Sequence, residues 1–204
     1  MKINFVLVNQ NNLYITEFDT VKQPSFSNIN IRTFEFEKAR RFPMVPAYCN
    51  NILLNSENFA QFMRTYYPKT IGTYNYFAVY PDDMTDCEFE VIKNMLGNAR
   101  GRNAVIRPIG TLLSPNRKYM SITRSVRNIC VSVVNDEQLT FQEFIPYSET
   151  FTDKIAIALS LKKVTESLKT DNMLVFHYDI PTSLPTIGTK IDIAEVLRIV
   201  AATA

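Results

Sequence analysis

Hydrophobic and polar positions alternate from the first residues of the chain. Ile3, Phe5 and Leu7 alternate with their neighbours, Asn9, Gln10, Asn11 and Asn12 supply turn chemistry, and Leu13, Tyr14 and Ile15 resume the apolar run. The pattern predicts a β-hairpin over Lys2 to Phe18. Pro24 and the Ser/Asn cluster after it mark a loop, Asn30 to Phe36 alternates again as a strand, and Pro43 and Pro46 impose an irregular crossing.

Helical spacing takes over next. Phe59, Phe62, Met63 and Tyr66 recur on one face of a segment that Ser56 caps and Pro68 ends. Thr73 to Tyr80 is an aromatic strand closed by Pro81. Thr85 and Glu88 have the spacing of a capping box, with Phe89, Ile92 and Leu96 as the apolar stripe behind it and Gly97 as the stop. A strand at Asn103 to Arg107 and a loop around Pro115 precede a hairpin that pairs Asn128 to Val134 with Leu139 to Ile145. Thr152 to Lys169 carries Ile157, Leu161, Val164 and Leu168 at helical spacing. Met173 to Asp179 is a buried strand, Pro181 and Pro185 follow, and Asp192 caps a last helix with Ile193, Val196, Leu197 and Val200 on its apolar face.

Strands and helices mix without a regular βαβ alternation, and two neighbouring strand pairs are hairpins. The expected class is therefore α+β: one domain over residues 1–204 with a largely antiparallel mixed sheet and about four helices. No internal repeat and no linker is visible. A chain of 204 residues can hide roughly 70% of its unfolded surface in one core.

Composition narrows the location. The apolar run Ile3 to Val8 is too short for a secretory signal, and no stretch reaches the roughly 20 apolar residues that span a bilayer. The expectation is a cytoplasmic protein, in the host cytoplasm or the virion if viral. Cys49, Cys87 and Cys130 are far apart and unpaired in spacing, so they suit neither a disulfide framework nor a thiolate metal site. Five glycines and no tryptophan, with abundant asparagine, suggest AT-rich coding sequence such as many viral genomes.

Charge is unevenly spread. No acidic residue lies between Glu90 and Asp136, whereas Lys93, Arg100, Arg102, Arg107, Arg117, Lys118, Arg124 and Arg127 do. The whole chain has 22 Lys and Arg against 20 Asp and Glu, so the rest of it is net acidic. Asp82, Asp83, Asp86, Glu88 and Glu90 gather where the capped helix begins, as its dipole favours. The basic segment reads as solvated strand and loop positions, as a phosphate-tracking surface for nucleic acid, or as one half of an electrostatic contact with the acidic group on another copy.

Catalytic signatures are missing. Gly72, Gly97, Gly101, Gly110 and Gly188 cannot be arranged into a Walker A loop or a GxGxxG turn. His177 is the lone histidine and reads as a structural one, with no motif around it. No cofactor or metal is implied, and no stretch resembles a known family. The reading that follows is a non-enzymatic structural or assembly subunit, such as a virus or phage particle protein, that binds copies of itself or other particle proteins and is oligomeric. The alternatives are a nucleic-acid-binding accessory protein using residues 93–127, and an enzyme whose site assembles from distant residues around His177 or around Asp82, Asp83 and Asp86.

Overall fold

The computed structural model describes residues 2–9, 11–19, 30–37, 45–69, 72–125, 127–146, 152–168, 173–178 and 188–203. The loop expected after Pro24, the crossing at Pro43, and Pro181 and Pro185 lie outside them. The chain divides into two units, one of Met1–Tyr80 with Met84–Arg107 and the other of Pro81–Asp83 with Pro108–Thr203.

In the first unit a five-stranded sheet is built from β1 (Lys2–Val8), β2 (Asn12–Asp19), β3 (Arg32–Glu35), β4 (Tyr74–Tyr80) and β5 (Gly101–Pro108). Its order is β3-β2-β1-β4-β5. β1 pairs antiparallel with β2 and parallel with β4, and β2 pairs antiparallel with β3. This central position explains why Ile3 to Val8 is buried on both faces, a run that a half-exposed hairpin would not need. Helices α1 (Ile52–Tyr66) and α2 (Asp86–Asn98) cover one face, where Phe59, Met63, Ile92, Met95 and Leu96 pack with Val6, Leu13, Ile15, Tyr76 and Ala78.

α1 begins at Ile52, earlier than the pattern predicts. Asn51 precedes it in the left-handed region with φ 41°, and Ser56 is a buried helical residue that accepts a 2.9 Å hydrogen bond from the Asn98 amide. The predicted capping box at α2 forms in both directions: the Thr85 N–H donates to Glu88 Oε2 at 2.8 Å and the Glu88 N–H to Thr85 Oγ1 at 3.4 Å. Gly97 does not stop α2, which continues to Asn98.

The second unit repeats the plan. Its strands are β6 (Lys118–Arg124), β7 (Asn128–Asn135), β8 (Gln138–Pro146), β9 (Val175–Tyr178) and β10 (Thr189–Lys190), with α3 (Thr152–Leu168) and α4 (Ile193–Thr203). The sheet order is β10-β9-β6-β7-β8. β6, β7 and β8 form an antiparallel meander, a helix follows, and β9 returns parallel to β6, as β4 does to β1. The fold is thus a duplication of topology that the residues do not repeat. α3 places Ile157 and Val164 over Met120, Ile122, Ile129, Val131 and Val133. Asp192 caps α4 as expected, accepting from the Glu195 N–H at 2.9 Å.

The protein is α+β, with two mixed sheets and four helices among the described residues. The hairpins expected at the N-terminus and over 128–145 are present as β1–β2 and β7–β8. β6, the centre of the second sheet, falls in the segment that the charge pattern had drawn attention to and was not anticipated as a strand.

Candidate functional site

The second sheet has two unlike faces. Successive residues of a strand point to opposite sides, so Ile122, Ile129, Val131 and Val133 meet α3 while Tyr119, Ser121, Thr123, Cys130 and Ser132 share the other face. Ser121 lies directly opposite Ser132, and Thr123 opposite Cys130. A hydroxyl-lined face would normally be wet. Here Ser121, Thr123 and Ser132 are buried.

Against this face sits the turn that follows β4. Pro81 ends the strand, and Asp82 and Asp83 belong to the second unit. Asp82 is buried. Its Oδ1 accepts the Gly110 N–H at 2.8 Å and its Oδ2 the Thr123 hydroxyl at 2.7 Å, while its backbone carbonyl accepts from the Gln142 amide at 3.2 Å. Gly110 stands in a 3-10 turn, Ile109–Leu112, and its own carbonyl accepts the Tyr119 hydroxyl at 2.9 Å. A Cβ at Gly110 would come within 2.4 Å of Asp82 Oδ2 and 2.8 Å of Ser121 Oγ. Only glycine lets the backbone come this close.

Burial pushes the Asp82 carboxyl up to about 6, against the two hydrogen bonds that favour its charge and with a smaller push from Asp83. Asp83 is held differently. Its Oδ2 accepts the Ser125 hydroxyl at 2.5 Å and the Asn128 amide at 2.8 Å, and lies 3.4 Å from Arg127 Nε, whose guanidinium also donates to the Asp83 carbonyl at 2.7 Å. Asp83 Oδ1 is buried with no hydrogen-bond partner, and so are the hydroxyls of Ser121 and Ser132. The same low-dielectric surroundings push the Cys130 thiol up, chiefly through burial and then through the charges of Asp82 and Asp83. The cluster therefore unites a carboxyl that burial raises to about 6 with a second, ion-paired one that keeps an acceptor oxygen unused. Such a pair can move a proton or face a polar ligand.

The residues singled out by charge are spread more widely. Lys93, Arg100, Arg102 and Arg107 belong to the first unit, and Arg117, Lys118, Arg124 and Arg127 to the second. Lys93 pairs with Glu90 at 2.9 Å, Arg117 lies 4.0 Å from Asp136, and Arg127 pairs with Asp83. Arg100 takes a left-handed φ of 62° after α2, Arg102 and Arg107 are on β5, Lys118 opens β6 and Arg124 ends it. Of the acidic group, Glu88 closes the capping box, Asp86 is exposed in the first turn of α2, and Asp82 and Asp83 form the buried pair. His177 is buried on β9 beside Ile122 and Lys190; burial, helped by the Lys190 charge, lowers its pKa, and its Nδ1 has no hydrogen-bond partner. Sequence reasoning explained Asp82 and Asp83 mainly as helix-start anions or one half of an electrostatic contact, and named them with Asp86 only for the alternative of a site assembled from distant residues. The signal it lacked was the hydroxyl ladder Ser121, Thr123 and Ser132, which a polar strand face hides.

No family model and no curated protein sequence matches the chain. Solved structures do. The inorganic polyphosphate/ATP-glucomannokinase from Arthrobacter sp. strain KM is similar over 99% of this chain and 97% of its own, with a TM-score of 0.59 at 9% identity. The filament structure of AlfA from the B. subtilis plasmid pLS32 is similar over 87% and 84%, with a TM-score of 0.51 at 8% identity. A Bacteroides thetaiotaomicron protein with an actin-like ATPase fold and unknown function aligns over 98% and 95%, with a TM-score of 0.49.

The fold is the one this chain shares with the glucomannokinase and with AlfA. Three further matched structures are longer, and the chain spans 57–61% of their length.

This fold corrects the functional expectation. A non-enzymatic structural subunit of a virus or phage particle was inferred from missing glycine-rich loops and a lone histidine, and a fold shared along nearly its whole length with a kinase breaks that step. The shared fold likewise gives no support to the nucleic-acid alternative, whose cations divide between two units, with Lys93, Arg117 and Arg127 facing carboxylates among the described residues. Among the described residues no helix is long and apolar enough to cross a membrane.

Proposed function

We propose that this chain binds a ligand carrying a chain of phosphates, a nucleoside triphosphate or inorganic polyphosphate, and transfers or hydrolyses its terminal phosphoryl group. The observation that carries the reading is the fold, held in common over 99% of the chain with a protein named as an inorganic polyphosphate/ATP-glucomannokinase. Phosphoryl transfer asks little covalent chemistry of a protein and much positioning and charge control. The Asp82–Asp83 cluster is the part of this molecule suited to the proton.

In this reading Asp83 Oδ1, the oxygen that nothing else engages, takes the proton of the attacking hydroxyl or water. The new O–P bond forms as the bridging P–O bond breaks, and the electron pair leaves with the shortened phosphate chain. Ser125, Asn128 and Arg127 fix the carboxylate through its other oxygen. Asp82, charged or neutral within the physiological range, tunes it from the adjacent position. Both carboxyls are enclosed, so the reading requires that the turn carrying them opens to admit ligand.

The test is phosphate release from ATP and from polyphosphate, with and without a sugar acceptor. Activity is expected in the wild-type chain, with a loss on the order of a hundredfold or more in Asp83→Asn. Unchanged activity in Asp83→Asn removes the assignment of Asp83, and no turnover of either donor removes the reading. Self-association is a second reading, supported by the filament that AlfA forms, and light scattering over a concentration series tests it.

A further inference from the structure

The first unit contains a groove of about 600 Å³ between α2 and β5, and none of its lining residues belongs to the aspartate cluster. Phe89 and Leu96 of α2 and Ile106 of β5 give it an apolar floor, and Lys93, Asn94 and Arg102 give it a polar rim. None of its lining residues is acidic. Arg102, Asn103, Ala104 and Val105 are all exposed, and among the described residues β5 has β4 on one side and no strand on the other.

The sequence builds this groove for specific reasons. A Cβ at Gly101 would lie 2.7 Å from the Leu96 carbonyl oxygen and 3.0 Å from the Tyr76 ring, so glycine lets β5 start tight against the last turn of α2. Alternation along β5 then turns Arg102, Ala104 and Ile106 to the groove, with the smallest of the three at its centre. An open strand edge also offers unpaired backbone N–H and C=O groups at the repeat of another strand. An apolar trough flanked by a helix and an open edge is the geometry in which an extended peptide adds as a further strand, its backbone paired with the edge and alternate side chains in the trough.

We propose that this groove is a docking site for an extended segment of a partner protein in which acidic residues alternate with apolar ones. Apolar side chains fill the space over Ala104, and the acidic ones meet Arg102, since Lys93 is already paired with Glu90 at 2.9 Å. Charge selects this occupant over a second copy of the same edge. An antiparallel β5–β5 pair centred between Ala104 and Val105 would set Arg102 opposite Arg107 twice, and like charges in directly opposed positions destabilise a ladder. The site does not depend on the phosphate-ligand reading, and it lies wholly within the other unit.

Panning a displayed library of random dodecapeptides against the full chain tests it. The enriched sequences are expected to alternate acidic and apolar residues, and a fluorescein-labelled consensus peptide should bind saturably by anisotropy. Arg102→Glu, an exposed position that leaves the fold intact by circular dichroism, should weaken that peptide about tenfold or more, as reversing a rim charge does, and Ala104→Trp should fill the trough and abolish binding. Backbone amides of residues 102–106 should gain protection from hydrogen exchange in the complex. No enrichment, enrichment of basic or proline-rich peptides, binding indifferent to Arg102→Glu, or competition by ATP or polyphosphate at these residues would each overturn the proposal.

Discussion

The backbone N–H of Gly110 meets Asp82 Oδ1 at 2.8 Å, and nothing larger than a hydrogen fits on the Gly110 α-carbon, because a methyl there would stand 2.4 Å from the other carboxylate oxygen. Gly110→Ala should therefore destabilise the protein by about 1–3 kcal/mol, the usual cost of forcing extra volume into a filled interior. Urea denaturation at neutral pH measures it. A change within experimental error would mean that the 3-10 turn is free to move away from the aspartate.

Asp82 also gives stability a pH dependence of unusual sign. Its folded carboxyl, at about 6, lies above the 3.8 of an ordinary aspartate, so the folded state binds the proton more tightly than the unfolded one. Its contribution is most favourable below pH 4, is lost as pH rises from about 4 to 6, and is constant above. The loss is on the order of 3 kcal/mol at most. Asp82→Asn should flatten the 4-to-6 limb of a plot of unfolding free energy against pH. An identical slope in the variant would place the titration elsewhere.

Arg127 is the counter-charge of Asp83, whose side chain is only 4% exposed. Removing it by Arg127→Ala leaves a buried carboxylate with hydroxyl and amide donors alone, and the expected loss is about 2–4 kcal/mol. Arg102→Ala, at an exposed cation on β5, should stay within about 0.5 kcal/mol. Thermal melts of the two variants side by side check the contrast.

The β7–β8 hairpin turns through Asp136 and Glu137, both left-handed at φ 47° and 64°. A two-residue hairpin loop of type I′ needs positive φ at both positions, where glycine carries no Cβ penalty. Glu137→Gly should raise the unfolding midpoint, with a gain of about 0.5–1 kcal/mol. A lowered midpoint would show that the Glu137 side chain contributes more than its backbone costs.

What the sequence revealed and what it hid follow from range of interaction. Thr85 and Glu88 announced the capping box because both halves of it lie within one turn of chain, and the Asn135 to Gln138 turn was legible for the same reason. Ile157 and Val164 marked the buried face of α3 by spacing alone. The duplicated topology was invisible, since β1 and β6 hold equivalent places with unrelated residues and the parallel partners of each arrive only after a helix. Ser121, Thr123 and Ser132 look like a solvent face until the Asp82 turn covers them. Cations at 93–127 read as one group along the chain, and Arg102 and Arg127 belong to different units.

Isothermal titration of the full chain with ATP, and separately with inorganic polyphosphate, tests the central claim most directly. The account predicts saturable binding of at least one of the two, unchanged in Arg102→Ala. Titrations without heat or saturation for both ligands, from a chain shown by circular dichroism to be folded, would contradict it.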